Sequence, residues 1–173
     1  MKEIIETDRV IIRPIEEGDV EGMYILDSDS RVQEFLGKKT VQSKEEVLSV
    51  IRFIRQQYED YGIGRWAVIE KETNSFIGWT GFKYINNGTN GVEEYLDLGY
   101  RFIYDAWGKG YATETAKACL AYADKYLTDL PIHAISEVGN DGSKHVLEKV
   151  GFEVVNTFLY DDVPHFWYIR LEK

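Results

Sequence analysis

A chain of 173 residues suits one domain, and a domain of this size buries roughly 70% of its unfolded surface without needing staples. With 20 Lys and Arg against 30 Asp and Glu, its net charge of −10 argues against non-specific binding to nucleic acid or to an anionic membrane surface. No apolar run approaches the roughly 20 residues of a membrane span. The opening residues carry acids where a signal peptide carries only bases, and Cys119 is the sole cysteine, so a reducing cytoplasm is the expected setting.

Asp8-Arg9-Val10-Ile11-Ile12-Arg13-Pro14 reads as a first strand that stops at the proline. Residues 16–26 predict a short helix with Val20, Met23 and Tyr24 on one face, weakened by Gly18 and Gly22. A further helical turn or two is expected over residues 30–36. Ser43-Lys44-Glu45-Glu46 has the spacing of a capping box. Val47, Ile51, Ile54, Tyr58 and Tyr61 then recur at steps of four and three, one face of a helix that Gly62 and Gly64 end.

Residues 65–70 and 76–85 read as strands around the turn Lys71-Glu72-Thr73-Asn74-Ser75, and residues 93–102 follow after a glycine- and asparagine-rich turn. These three are expected to form an antiparallel meander. A helix from Gly110 to about Leu127 buries the mostly small residues Ala112, Ala116, Cys119, Ala123 and Leu127, so it can lie close to a sheet. Residues 132–138 form a strand opened by Pro131. Asn140 caps a helix running through Lys149, which Gly151 ends in the left-handed position. Residues 152–160 and 165–171 close the chain as two strands, the last offering an edge to a second copy in a homodimer. This order is mixed α/β within a single domain, and the crossover from residues 93–102 to residues 132–138 makes a parallel pair.

The sharpest chemical signal is Gly108-Lys109-Gly110 between an apolar strand and a long helix. Glycine lets the backbone bend close to a ligand, and the first helical N–H groups then face an anion unpaired. The same two glycines also suit a plain strand-to-helix turn. The dinucleotide fingerprint fits poorly, because its third glycine falls on Thr113. A Walker loop fails, because Ile103 and Gly110 occupy its glycine and its serine or threonine positions.

Asp105-Ala106-Trp107-Gly108-Lys109-Gly110-Tyr111-Ala112-Thr113-Glu114 resembles the acetyl-coenzyme A pyrophosphate loop of the GNAT N-acetyltransferases. It is closest to the branch of the RimJ/RimL ribosomal-protein N-terminal acetyltransferases. The stretch from Asn140 to Gly151-Phe152 is similar to that branch's second cofactor motif, and residues 8–14 and Phe76-Ile77-Gly78 match its opening strand and a later turn region. The resemblance covers nearly the whole chain. It implies the GNAT fold: a central mixed, mostly antiparallel twisted sheet of about six to seven strands, splayed at the middle, with helices on both faces.

It also implies the cofactor, acetyl-CoA, and a reaction in which an amine attacks the thioester directly. The pyrophosphate is expected on the backbone of Gly108, Lys109, Gly110, Tyr111 and Ala112, with Trp107 bracing the turn. The pantetheine arm is expected to pair with Tyr100, Arg101, Phe102 and Ile103 as an extra strand, and Asn140 to hydrogen-bond it. Asp97 is then the base or the substrate anchor, and Ser143 protonates the leaving thiolate. Two positions depart from the family pattern: Asp105 replaces a glutamine or arginine, and Leu147 replaces a tyrosine acid.

The acceptor stays open between a small-molecule amine and a peptide N-terminus, and a coenzyme A-binding module without catalysis is the alternative. Val32 to Gly37, Trp79 and Tyr84 are expected on the acceptor side. His133, His145 and His165 lack metal-ligand spacing, so a structural role is expected for each and no metal site is assigned. Cys119 is expected to pack against the sheet.

Overall fold

The structure, a computed structural model, describes residues 3–127 and 130–171. Its strands are β1 (Ile5–Glu6), β2 (Val10–Pro14), β3 (Arg65–Glu70), β4 (Ser75–Ile85), β5 (Tyr95–Phe102), β6 (Ile132–Glu137), β7 (Phe152–Tyr160) and β8 (Val163–Arg170). They form one sheet of eight in the order β1-β2-β3-β4-β5-β6-β8-β7. The helices are α1 (Val20–Ser28), α2 (Lys44–Tyr61), α3 (Tyr111–Tyr126) and α4 (Asp141–Lys149). Among the described residues only β5 and β6 pair in parallel. No helix among the described residues is long and apolar enough to cross a membrane.

The sheet has one strand more than the six to seven expected. The extra one, β1, pairs with β2 through Ile5↔Ile12 and Glu6↔Ile11, and two residues are too few to show a period in sequence. Residues 30–36 are turns rather than helix, held by Val32 and Gln33 N–H groups on the Asp29 carbonyl. The final strand is not an edge: β8 lies between β6 and β7, and the exposed margin is β7, with Val154, Val155 and Leu159 uncovered.

Alternation along the strands divides the core in two. On one face Ala67, Ile69 and Trp79 meet Ile15, just after β2, Met23 of α1, and Val47, Ile51 and Ile54 of α2. Burying each such aliphatic side chain contributes about 1.5–3 kcal/mol, which holds α2 to the sheet. Ser43 caps that helix by accepting the Glu46 N–H, and left-handed Gly62 ends it. Tyr61, placed on the buried face by its spacing, is 49% exposed; it is the last residue of α2, and its ring meets Tyr84 edge-on at 4.9 Å.

On the other face Trp66, Phe82, Leu98 and Phe102 meet Ala116, Cys119 and Ala123 of α3, together with Leu147 of α4. Gly78 sits in β4 opposite Phe102, inside a strand rather than in a turn, and a Cβ there would come within 2.2 Å of the Arg101 carbonyl oxygen. Cys119 Sγ lies 3.5 Å from Thr80 Oγ1, and burial pushes its thiol up to about 12. Native protein is therefore expected to resist a thiol-labelling reagent at neutral pH and to react fully in denaturant; rapid native labelling would contradict this packing.

Candidate active site

After β5 a 3-10 turn at Tyr104–Ala106 leads into Gly108 (φ 71°) and Gly110 (φ 82°), both left-handed. A Cβ at Gly108 would meet nothing within 4 Å, and one at Gly110 only the Arg9 guanidinium at 3.6 Å. Conformation rather than crowding therefore calls for glycine, and the space before α3 is open. Gly110 is the N-cap of α3 and no side chain caps it; the first helical bond runs from the Glu114 N–H to the Gly110 carbonyl at 3.1 Å. The N–H groups of Tyr111, Ala112 and Thr113 thus have no intrahelical partner, at the positive end of a 16-residue helix. A diphosphate fits this cradle.

The cradle is braced from two sides. Trp107 Nε1 donates to the Phe102 carbonyl at 2.8 Å, as expected of a brace. Arg9 Nη1 donates to the Lys109 carbonyl at 2.8 Å, and the same guanidinium pairs with Glu114 at 2.5 Å and lies over the Tyr111 ring. Arg9 stands about a hundred residues upstream of the loop it holds, so no local pattern signals it.

Behind the cradle the sheet opens. β5 and β6 pair only at Leu96↔Ile132 and Asp97↔His133, whereas β4 and β5 stay in register to Phe102. The Leu96 N–H donates toward β6, to the Pro131 carbonyl at 2.9 Å, and the Ile103 N–H donates toward β4, to the Ile77 carbonyl at 3.0 Å. By alternation Leu98, Tyr100 and Phe102 turn their backbone groups into the slot, while Arg101 and Ile103 turn theirs to β4. The four-residue strip expected to meet an extended arm is thereby cut to Tyr100 and Phe102, because a strand presents every second residue to one side.

On the α3/α4 side of the slot, Asn140 Oδ1 accepts the Ser143 N–H at 3.0 Å and caps α4. Its Nδ2 has no hydrogen bond among the described residues and is available to a ligand. The Tyr100 hydroxyl lies 3.1 Å from both the carbonyl oxygen and Oγ of Ser143. Burial holds the Tyr100 phenol above its usual range, so it stays a donor. Leu147, at the family's tyrosine position, is buried in the core. A tyrosine hydroxyl reaches Ser143 from the strand instead, a pairing hidden in the sequence by a separation of 43 positions.

Asp97 faces the other way, toward α1 and α2, so it and Ser143 stand on opposite sides of the slot. Arg65 Nη2 pairs with Asp97 Oδ2 at 2.5 Å, while Nη1 donates to the carbonyls of Asp97 (2.7 Å) and Gly81 (2.6 Å). The guanidinium occupies the place a Cβ at Gly99 would take. Asp97 Oδ1 is buried and has no partner among the described residues. Burial pushes this carboxyl up, and the Arg65 charge pulls it back.

Arg101 also points to this face and pairs with Asp27 at 2.6 Å; the guanidiniums of Arg65 and Arg101 each lie 5.1 Å from the Trp79 ring. The connection from α1 to α2 crosses the mouth of the slot. Arg31 covers the Tyr104 ring at 3.9 Å, and Phe35 stands 3.9 Å from where a Cβ at Gly139 would lie. Trp79 and this connection therefore lie on the side expected for an acceptor. Tyr84 does not: it lies on the α3 face with Tyr61, Leu96 and Tyr126, around a cavity of about 220 Å³.

A cradle, a slot and an acid facing it agree with the match of residues 9–153 to the family model for the acetyltransferase (GNAT) domain. The chain belongs to the GNAT acetyltransferase family. Among curated relatives it is 28% identical over 162 residues to the uncharacterized N-acetyltransferase YoaA of Bacillus subtilis, covering 92% of this chain and 89% of that one. A solved acetyl transferase that modifies the N-terminal serine of 50S ribosomal subunit protein L7/L12, from Salmonella typhimurium, superimposes with a TM-score of 0.78. The two are 17% identical, over 99% of this chain and 100% of that one. Spermidine N-acetyltransferase from Vibrio cholerae, solved with CoA and spermine, superimposes with a TM-score of 0.73 at 18% identity, over 94% and 96% of the two chains. The acetyl donor of the GNAT family is acetyl-CoA.

Proposed function

We propose that this chain, as a single domain over residues 1–173, transfers acetyl from acetyl-CoA to a primary amine in the cytoplasm, the amine attacking directly. The observation that carries this reading is the parting of β5 from β6 after the Asp97↔His133 rung. It leaves a slot with a phosphate cradle at one end and an unpartnered carboxylate oxygen at the root of its other face. Bound acetyl-CoA supplies the thioester whose carbonyl carbon the amine attacks.

The chain's own groups then have separate tasks. The N–H groups of Tyr111 and Ala112 hold the diphosphate, with Gly108, Lys109 and Gly110 giving the backbone path. Tyr100, Phe102 and Asn140 align the arm, and the Phe102 N–H, turned into the slot, polarises the reacting carbonyl. Asp97 Oδ1 anchors the acceptor's ammonium from the α1/α2 face. Ser143, bonded to Tyr100, protonates the leaving thiolate from the other face. The solved neighbours named for ribosomal-protein N-termini and for spermidine support either a peptide or a small-molecule amine as acceptor. A homodimer is proposed through β7, the uncovered margin of the sheet.

Coenzyme A binding by calorimetry and thiol release from acetyl-CoA on an amine panel test this reading. Ser143→Ala and Asp97→Asn are each expected to lower turnover by about 10²-fold while coenzyme A affinity stays within about twofold. Tight coenzyme A binding by the wild type with no turnover on any amine would favour a binding module instead.

A further inference from the structure

The rung at which β5 and β6 part joins Asp97 to His133, so both side chains stand at the root of the slot on the α1/α2 face. His133 is 7% exposed. Its ring leans on Trp167 at 4.6 Å and meets the edge of Tyr95 at 5.3 Å. Nδ1 lies 3.2 Å from the Tyr168 carbonyl oxygen. A carbonyl only accepts, so Nδ1 carries the hydrogen and the neutral ring keeps its lone pair on Nε2. Nε2 makes no hydrogen bond among the described residues.

Burial is the chief influence on the ring and holds it below the usual histidine range, while the Tyr168 bond and the Asp97 charge pull upward. Asp97 and Tyr95 face it from β5, and Trp167 and the Tyr168 carbonyl from β8. Arg65, Lys83 and His133 act in turn on Asp97. The imidazole is thus neutral near pH 7. Burial raises the Asp97 carboxyl as well, but its Oδ2 is committed to Arg65, which leaves Oδ1 to hold a cation. Ser143 stands on the opposite face, beside Tyr100.

Resting on the acetyltransferase reading, we propose that His133 is the catalytic base, its Nε2 removing a proton from the acceptor's ammonium while Asp97 Oδ1 anchors that group. The ammonium N–H bond breaks, an Nε2–H bond forms, and the nitrogen keeps the electron pair with which it attacks. Asp97 stabilises the resulting imidazolium, which returns its proton to water. His133 is therefore not the purely structural residue that its isolated place in the sequence suggests.

His133→Asn keeps a donor toward the Tyr168 carbonyl and removes the titrating nitrogen. In the ligand-free protein, nitrogen NMR of the histidine rings, assigned by the signals lost in His133→Asn, is expected to show hydrogen on Nδ1 and a midpoint below the ordinary 6.5. With acetyl-CoA and spermidine, a serine-initiated peptide and tyramine as probe amines, the variant is expected to lose about 10²-fold in kcat/KM near about pH 7. The loss should shrink below about fivefold near about pH 9.5, where more of each amine is already neutral. A loss equal at both pH values, no loss, or hydrogen on Nε2 overturns this proposal alone. Wild-type protein that binds coenzyme A yet acetylates none of the three amines overturns the acetyltransferase reading, and this proposal with it.

Discussion

Gly110→Val is expected to weaken coenzyme A binding by at least about 100-fold, a loss of about 2.7 kcal/mol, measured by calorimetry. Gly110 holds φ at 82° as the N-cap of α3, and the N–H groups just beyond it have no other partner. A β-branched residue resists the left-handed region, costing roughly 1–2 kcal/mol at that residue. The chain recovers that cost by turning Gly110 out of it, which swings the first α3 N–H groups away from the diphosphate. The fold should survive, because a side chain there meets only the far end of Arg9 at 3.6 Å. Gly18→Ala, at a turn with nothing within 4 Å, is the matched control and should leave affinity unchanged. Wild-type affinity in Gly110→Val would remove this loop from the cofactor site.

The largest stability loss is expected at Arg65→Met. Both Arg65 and Asp97 side chains are only 14% exposed, so losing the cation leaves a buried carboxylate without its counter-charge. The loss also frees the Gly81 and Asp97 carbonyls that Arg65 now satisfies. A cost of about 3–5 kcal/mol is expected in urea unfolding, or roughly 10 °C in Tm. Asp97→Asn in the Arg65→Met background should recover about 1–3 kcal/mol, since the charge that needed a partner is then gone. Strict additivity of the two changes would show that the pair is not coupled.

The secondary structure was largely legible because its signals are local. The stride of Val47, Ile51 and Ile54, the Ser43 cap and left-handed Gly62 all act within a few residues of one another. The same holds for the turn into α3 and for Asn140, whose side chain caps its own helix three residues on. The misses fall where local signal runs out. Residues 30–36 carry apolar side chains but bind back to Asp29 as successive turns, and β1 is too short to show a period. The resemblance placed the chain in its family from four short stretches, independently of which strands meet.

The site was legible as a set of residues but not as a geometry. Sequence by itself determined the cradle, since glycines between a strand and a helix produce open N–H groups whatever surrounds them. It also determined that an acid precedes the cradle and an asparagine cap follows it. Only the tertiary structure decided which groups those residues meet. Arg65 is 32 residues from the Asp97 it neutralises, Tyr100 is 43 from Ser143, and Tyr168 is 35 from the His133 whose tautomer it sets. The physical reason is strand pairing: alternation along β5 turns Asp97 to one face and Tyr100, which meets Ser143, to the other, and the last β5–β6 rung brings His133 to Asp97.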